Sequence, residues 1–185
     1  MWFCEGSRID WAAVGAIATG VAAFIAVGIW GVDKLQRWKE RATSAKLLAQ
    51  IMTTPVGAAQ IEIAILRHAV VPSAEDQTYV LGLLNSQEIR VDFATKTSFV
   101  TFDLPNQYLD KADLFSEGIN RRIAYALSQV NRLKTMANLL AKLPDSAPEK
   151  EINQHALAAL KQIQGAEAAI GEAFQALLVA SKSYA

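Results

Sequence analysis

Cysteine and histidine are scarce in this chain. One cysteine, Cys4, and two histidines, His68 and His155, occur among 185 residues. A single cysteine cannot form a disulfide within the chain, and a structural zinc site usually needs four thiolate or imidazole ligands. The sequence therefore excludes an intrachain disulfide framework and argues against a metal centre.

An excess of either charge is absent as well. Lys and Arg total 18, and Asp and Glu total 18, so the formal net charge at neutral pH is zero. Binding to nucleic acid depends largely on a basic surface that neutralises phosphates. We therefore expect no nucleic-acid partner.

The chain also lacks the short motifs of common catalytic and nucleotide-binding sites. Its sequence contains no GxxxxGK(S/T), GxGxxG, GxSxG, HExxH or CxxC. The two histidines lie in separate predicted helices, where a surface or core histidine is far more common than a catalytic one. We predict a non-enzymatic protein with no cofactor, no metal and no small-molecule substrate.

Apolar residues, by contrast, are abundant. They make up 52% of the chain, charged residues make up 19%, and the mean hydropathy is +0.17. Residues 11–32 contain no charge, and at about 1.5 Å per residue they span roughly 33 Å, enough for a hydrocarbon core of about 30 Å. A secretory signal would begin with basic residues, whereas residues 1–10 carry Glu5, Arg8 and Asp10. We predict a transmembrane helix at 11–32, preceded by a short outer stub at 1–10.

Basic residues follow this segment closely, and they predict its orientation. The positive-inside rule places the side richer in Lys and Arg in the cytoplasm, and only Arg8 precedes the span. We therefore predict a single-pass protein of a bacterial inner membrane, with its N-terminus outside and residues 33–185 in the cytoplasm; the reverse orientation is the alternative. The residues expected at the membrane interface are Trp11, Trp30, Lys34, Arg37, Trp38, Lys39 and Arg41.

Small residues form two adjacent ridges along the predicted span. Low ridges let the backbone of a second helix approach closely, although no strict GxxxG occurs here. The lipid bilayer is one predicted partner, and association with another copy or another protein's helix remains open. The ridge residues are Ala12, Gly15, Ala16, Thr19, Gly20 and Ala23.

The segments that follow the span predict further helices and one possible hairpin. A basic juxtamembrane helix over 33–53 is expected to end near Thr53, and Pro55 then opens another helix to Val71. Ser73 and Asp76 resemble a capping box for a short helix through about Leu84. Two β-branched and aromatic runs predict a small β-hairpin near 88–103, with an ordered connector as the alternative.

The strongest pattern in the cytoplasmic part comes after Pro105. Apolar and small residues recur at steps of three and four from Leu109 through Ala112 and Ser116 onward, which is the spacing of a coiled-coil seam. Pro144 interrupts the pattern, which then resumes, so a long antiparallel helical hairpin is predicted over 106–183. The principal seam residues are Ile123, Val130, Leu133, Leu140, Ala159, Ile163, Ala166, Ile170, Ala173 and Leu177.

Other apolar residues flank this seam and need a partner of their own. Leu127, Met136, Leu157 and Phe174 belong to stripes wider than a two-helix contact covers. Either the helices at 55–84 cover them within a bundle over 54–185, or a second protomer or another protein does.

Together these patterns predict a mainly α protein with one N-terminal transmembrane helix and a helical-bundle domain. They favour the function of a membrane-anchored interaction protein: an adaptor, an anchor or a subunit of a membrane complex. Its predicted partner is either another copy of the same chain or a different protein. An oligomeric membrane-perturbing effector or pore subunit is the alternative. Reversed topology would instead favour an external ligand-sensing bundle.

Overall fold

The computed structural model describes the backbone of residues 11–71 and 77–182, with side chains from Val14 onward except that of Gln107. Within these residues the secondary structure is entirely helical, and the predicted mainly α fold is confirmed. The helices are α1 (Trp11–Val70), α2 (Thr78–Asn85), α3 (Gln87–Ser98), α4 (Asn106–Asp110), a short 3₁₀ helix (Ala112–Leu114), α5 (Glu117–Lys142) and α6 (Glu149–Lys182).

The chain divides into two compact units, Met1–Ala42 and Thr43–Ala185. The described part of the first unit consists of the first half of α1. In the second unit, which we call the bundle unit, α5 packs against α6, α3 packs against α5, and α2 contacts both α3 and α6.

Helix α1 does not stop at Thr53, so the predicted break before Pro55 is wrong. Proline removes one backbone hydrogen bond and its ring crowds the preceding turn, which costs a helix interior about 3 kcal/mol. Met52 and Val56, on either side of Pro55, are both buried in the core. Their burial offsets the cost of the proline, and the helix continues to Val70.

The part of α1 in the bundle unit presents one continuous row to the core. Its members recur at steps of four and three, and every one is buried. We call this the inner row; it consists of Ala45, Ala49, Met52, Val56, Ala59, Ile63, Leu66 and Val70.

The predicted β-hairpin near 88–103 is also wrong, because most of this segment forms α3. Arg90, Phe93 and Thr97 lie at helical spacing and are buried together on one face. The hydroxyls of Thr95 and Thr97 each donate to the carbonyl oxygen four residues earlier, at 2.9 and 2.8 Å. Burial of one helical face therefore overrides the β preference of the threonine and aromatic residues.

The long hairpin begins later than predicted, because residues 106–114 fold into two short helices rather than into α5. Asn120 holds them in place: its side-chain amide donates to the carbonyl of Ala112 and its oxygen accepts from the Tyr108 hydroxyl, both at 2.8 Å. The rings of Tyr108 and Phe115 also lie 6.1 Å apart. Leu109, the first expected seam residue, is exposed.

From Glu117 onward the three-four spacing lies on α5 and α6. All ten principal seam residues named above are buried in the core of the bundle unit. One polar pair interrupts this contact, where the Gln162 amide donates to the side-chain and backbone oxygens of Gln129. The proposed capping pair Ser73 and Asp76 lies outside the described residues, and α2 begins at Thr78.

Replacing Ala166 with Leu should reduce the free energy of unfolding by about 1–3 kcal/mol, because the added side chain overpacks a fully buried position. The matched control is Ala168→Leu, the same substitution at an exposed position two residues away, which should change stability by no more than about 0.5 kcal/mol. Thermal and urea unfolding of the full chain in detergent measures both. Equal stabilities would show that Ala166 does not face a packed helix.

Candidate membrane and interaction surfaces

The first half of α1 carries large apolar side chains on every side. Within the described residues, α1 is the helix that is long and apolar enough to cross a membrane. An amphipathic helix of a soluble domain would show a polar face here, and this segment has none. The exposed apolar residues are Val14, Ile17, Val21, Phe24, Ile25, Val27, Ile29, Trp30 and Val32.

The small-residue ridges of this segment are open. Gly15, Ala16, Thr19, Gly20 and Ala23 are exposed, and a Cβ built on either glycine would meet no atom within 4 Å. The Thr19 hydroxyl donates to the carbonyl oxygen of Gly15 at 2.8 Å, so its polar group is satisfied within the helix. The side chains of Trp11 and Ala12 lie outside the described residues.

Aromatic and charged side chains follow the apolar segment and are exposed. The Lys34 ammonium lies 4.8 Å from the centre of the Trp30 ring, and the Arg37 guanidinium contacts the Asp33 carboxylate at 3.0 Å. Exposed pairs one helical turn apart stabilise a helix by only about 0.3–0.5 kcal/mol. Trp38, Lys39 and Arg41 are exposed on the same stretch.

A buried arginine, which the sequence does not reveal, joins three parts of the bundle unit. The Arg90 side chain is fully buried. One terminal nitrogen donates to the carbonyl of Leu83, at the end of α2, at 3.2 Å. The other donates to the carbonyl of Leu143 at 2.9 Å and to the Asp145 carboxylate at 2.7 Å, both in the connection between α5 and α6.

Asp145 has a second role in the same place. Its Oδ1 atom also accepts a hydrogen bond from the backbone N–H of Gln87, the first residue of α3, at 2.6 Å. A carboxylate at a helix N-terminus satisfies an otherwise unpaired N–H and interacts favourably with the helix dipole. Asp145 therefore neutralises Arg90 and caps α3 with one oxygen atom.

Replacing Arg90 with Met should lower the free energy of unfolding by about 2–4 kcal/mol, because the buried carbonyls lose their donor and Asp145 loses its counterion. Arg122→Met, at an exposed position of α5, is the control and should change stability by about 0.5 kcal/mol or less. Chemical unfolding of both variants gives the comparison. A near-neutral Arg90→Met variant would show that apolar packing replaces these hydrogen bonds fully.

A second polar cluster links α2 to α3. The Tyr79 hydroxyl donates to the Asp92 carboxylate at 2.9 Å, and the Lys96 ammonium contacts the same oxygen at 2.5 Å. The Lys96 ammonium also lies 4.8 Å from the centre of the Tyr79 ring. The hydrogen bond from Lys96 lowers the pKa of Asp92. Burial, assisted by the hydrogen bond to Asp92, raises the pKa of Tyr79.

The raised pKa of Tyr79 predicts a loss of stability in alkali. The phenol has an ordinary pKa of 10.0, so above that pH the unfolded chain releases its proton while the folded chain retains it. The associated stability is complete below pH 10.0 and falls as the pH rises further.

Tyr79→Phe should therefore be less stable than the wild type at pH 7, by about 1 kcal/mol for the lost hydrogen bond. The gap between the two should narrow as the pH rises above 10.0. Urea unfolding across this range measures it, and Tyr125→Phe, at an exposed position of α5, controls for the loss of a phenol in general. A stability difference between the wild type and Tyr79→Phe that stays constant with pH would contradict the raised pKa of Tyr79.

The two histidines and the carboxylates do not converge in the described part of the chain. His68 is exposed on α1 and His155 is half-buried on α6. No group of three or more His, Cys, Asp or Glu side chains there is arranged to hold a metal ion. Cys4 lies outside the described residues.

The flanking apolar stripes of the hairpin are partly covered within the chain. Leu127, Met136 and Phe174 pack against the core, and the Phe174 ring lies over Gly57 of α1, 3.1 Å from where a Cβ would be. Leu157, in contrast, is exposed.

The opposite face of α1 in the bundle unit is unexpectedly apolar. Leu47, Ile51, Ile61 and Ile65 are 58%, 45%, 64% and 64% exposed. With the exposed residues between them they form a row at steps of four and three, which we call the outer row: Leu47, Ile51, Thr54, Ala58, Ile61 and Ile65.

At its C-terminal end the outer row adjoins an apolar groove between α1 and the end of α3. The groove has a volume of about 250 Å³, and Ile65, Leu66 and Ala69 of α1 line one side. Phe99 and Val100 line the other side, while the charged side chains of Glu62 and Lys96 also border it.

No family model, curated protein or solved structure shows a significant match to this chain.

Proposed function

We propose that this protein is a single-pass membrane anchor whose helical bundle binds another protein chain, as an adaptor or as a subunit of a membrane complex. The observation that carries the proposal is the exposed apolar surface of α1 between Val14 and Val32, a segment that contains no charged residue. Exposing so many large apolar side chains to water is costly, and a bilayer removes that cost.

The charges that follow this segment support a cytoplasmic bundle. Lys34, Arg37, Lys39 and Arg41 are exposed within ten residues of Val32, whereas Arg8 is the one basic residue that precedes the span in the sequence. This asymmetry favours retention of the C-terminal side in the cytoplasm. Basic side chains close to the membrane surface would also be attracted to anionic headgroups, by about 1 kcal/mol each.

The alternative of a pore subunit has less support. A water-filled path needs polar groups along its wall. Thr19 is the polar residue of the apolar segment, and its hydroxyl already bonds to the carbonyl of Gly15 in the same helix. An anchored interaction protein therefore fits the exposed surfaces better.

The anchor is tested by charging the span. Replacing Val21 and Phe24 together with Lys should move the protein out of carbonate-washed membranes, because each Lys near the bilayer centre costs about 2.5–3.5 kcal/mol. Replacing Leu35 and Gln36 with Lys, just beyond the apolar segment, should leave the membrane fraction unchanged. Equal retention of both variants would contradict the anchor.

Orientation is tested on the wild type in the same membranes. A reporter fused after Ala185 should be active only when placed in the cytoplasm, and protease added to intact cells should leave residues 33–185 uncut. External cleavage in this region would overturn the cytoplasmic adaptor and support the external sensing bundle.

A further inference from the structure

We propose that the outer row of α1 is the contact surface for a second copy of this chain, aligned in parallel and in register. The inference rests on the proposed membrane anchor and adds the identity of a partner. The two faces of this part of α1 differ in burial: the inner row is buried in the bundle, while the outer row, on the opposite side, is exposed although five of its six residues are apolar.

The spacing of the outer row suits a partner helix. Steps of four and three place its members along one line of a helix, and they extend over about 27 Å from Leu47 to Ile65 at about 1.5 Å per residue. A surface helix of a bundle ordinarily carries polar residues on its outer face, whereas five of the six outer-row residues are apolar. An exposed apolar row of this kind marks a contact surface.

The charge distribution favours a second copy over a different chain. In a parallel pair related by a two-fold axis, each position on the row faces the same position of the other copy, so a charged residue would face its own like charge. The outer row contains no charged residue. Amide and charged side chains, such as Gln50 and Glu62, lie beside the row rather than in it.

The exposed area also distinguishes the possible partners. Full burial of a Leu or Ile side chain removes roughly 60–120 Å² of apolar surface from water. The four large side chains of the row are about half to two thirds exposed, and Phe99 beside the groove adds a similar amount. The sum is well below the roughly 800 Å² per partner of a stable complex between freely diffusing proteins.

An apolar area this small supports a stable contact only with a partner that is already tethered nearby. Tethering raises the effective concentration of a neighbour to about the millimolar range. In a second copy inserted in the same membrane with the same orientation, the outer row also begins fifteen residues after Val32, on the same side of the bilayer, which favours an in-register contact. A soluble ligand protein has neither advantage.

Cysteine cross-linking in membranes tests the contact. In the full chain with Cys4→Ser, the variant Ala58→Cys places a thiol on the outer row, and Gln164→Cys places the control thiol on the exposed side of α6. Oxidation of carbonate-washed membranes should give about tenfold more disulfide-linked dimer from Ala58→Cys than from Gln164→Cys. Equal yields, or an adduct with a protein of a different mass in place of the dimer, would overturn the proposal.

A charge exchange shows whether the copies meet in register. In the Ala58→Cys background, Ile61→Glu and Ile61→Lys should each cross-link poorly with themselves, because like charges then face each other. Co-expressed with tags of different size, the two should cross-link with one another at close to the unsubstituted yield. Poor cross-linking of the mixed pair would contradict an in-register contact.

Two measurements keep the outcomes separate. The Ile61 side chain is largely exposed, so both charged variants should melt within about 2 °C of the parent. The comparison of Ala58→Cys with Gln164→Cys does not depend on the Ile61 variants. Loss of the protein from washed membranes would contradict the proposed anchor and the pairing that rests on it. Retention in the membrane without selective cross-linking would contradict the second-copy contact alone.

Discussion

The bundle unit depends on the burial of the inner row of α1 against the other helices. Seven of its eight residues, from Ala49 to Val70, lie in the same core as the seams of α5 and α6. Small members such as Ala49 and Ala59 alternate with Met52 and Ile63, so the neighbouring helices have room to pack closely. This contact keeps α1 helical across Pro55 and covers apolar surface that the hairpin leaves open.

The regular features were predictable from the sequence because they depend on local periodicity. The seam residues of α5 and α6 lie three and four positions apart, and a helix places such positions on one side wherever it packs. The uncharged run before Val32 likewise needs no tertiary contact to be recognised. Ile61, Ile63 and Ile65 alternate as they would in a strand, yet they fit a helix because Ile63 is buried and its two neighbours are exposed on the other face.

The errors arose where contacts between distant residues decide the local structure. Nothing near Pro55 shows that Met52 and Val56 will be buried, and Thr95 and Thr97 suggest a strand until their face is packed. The start of α5 depends on Asn120 reaching back to Ala112. Arg90 was missed for the same reason, because its acceptors at Leu143 and Asp145 are more than fifty residues away in the sequence.

The connection between α5 and α6 makes contacts that stabilise other parts of the bundle unit. Surface connections normally tolerate insertions and exchange of residues, because few interactions depend on their backbone path. Here Leu143 and Asp145 together bind the one buried guanidinium among the described residues, and Asp145 also fixes the first turn of α3. A graft or tag placed at this turn would therefore disturb the start of α3 and the buried Arg90, although the turn lies on the surface.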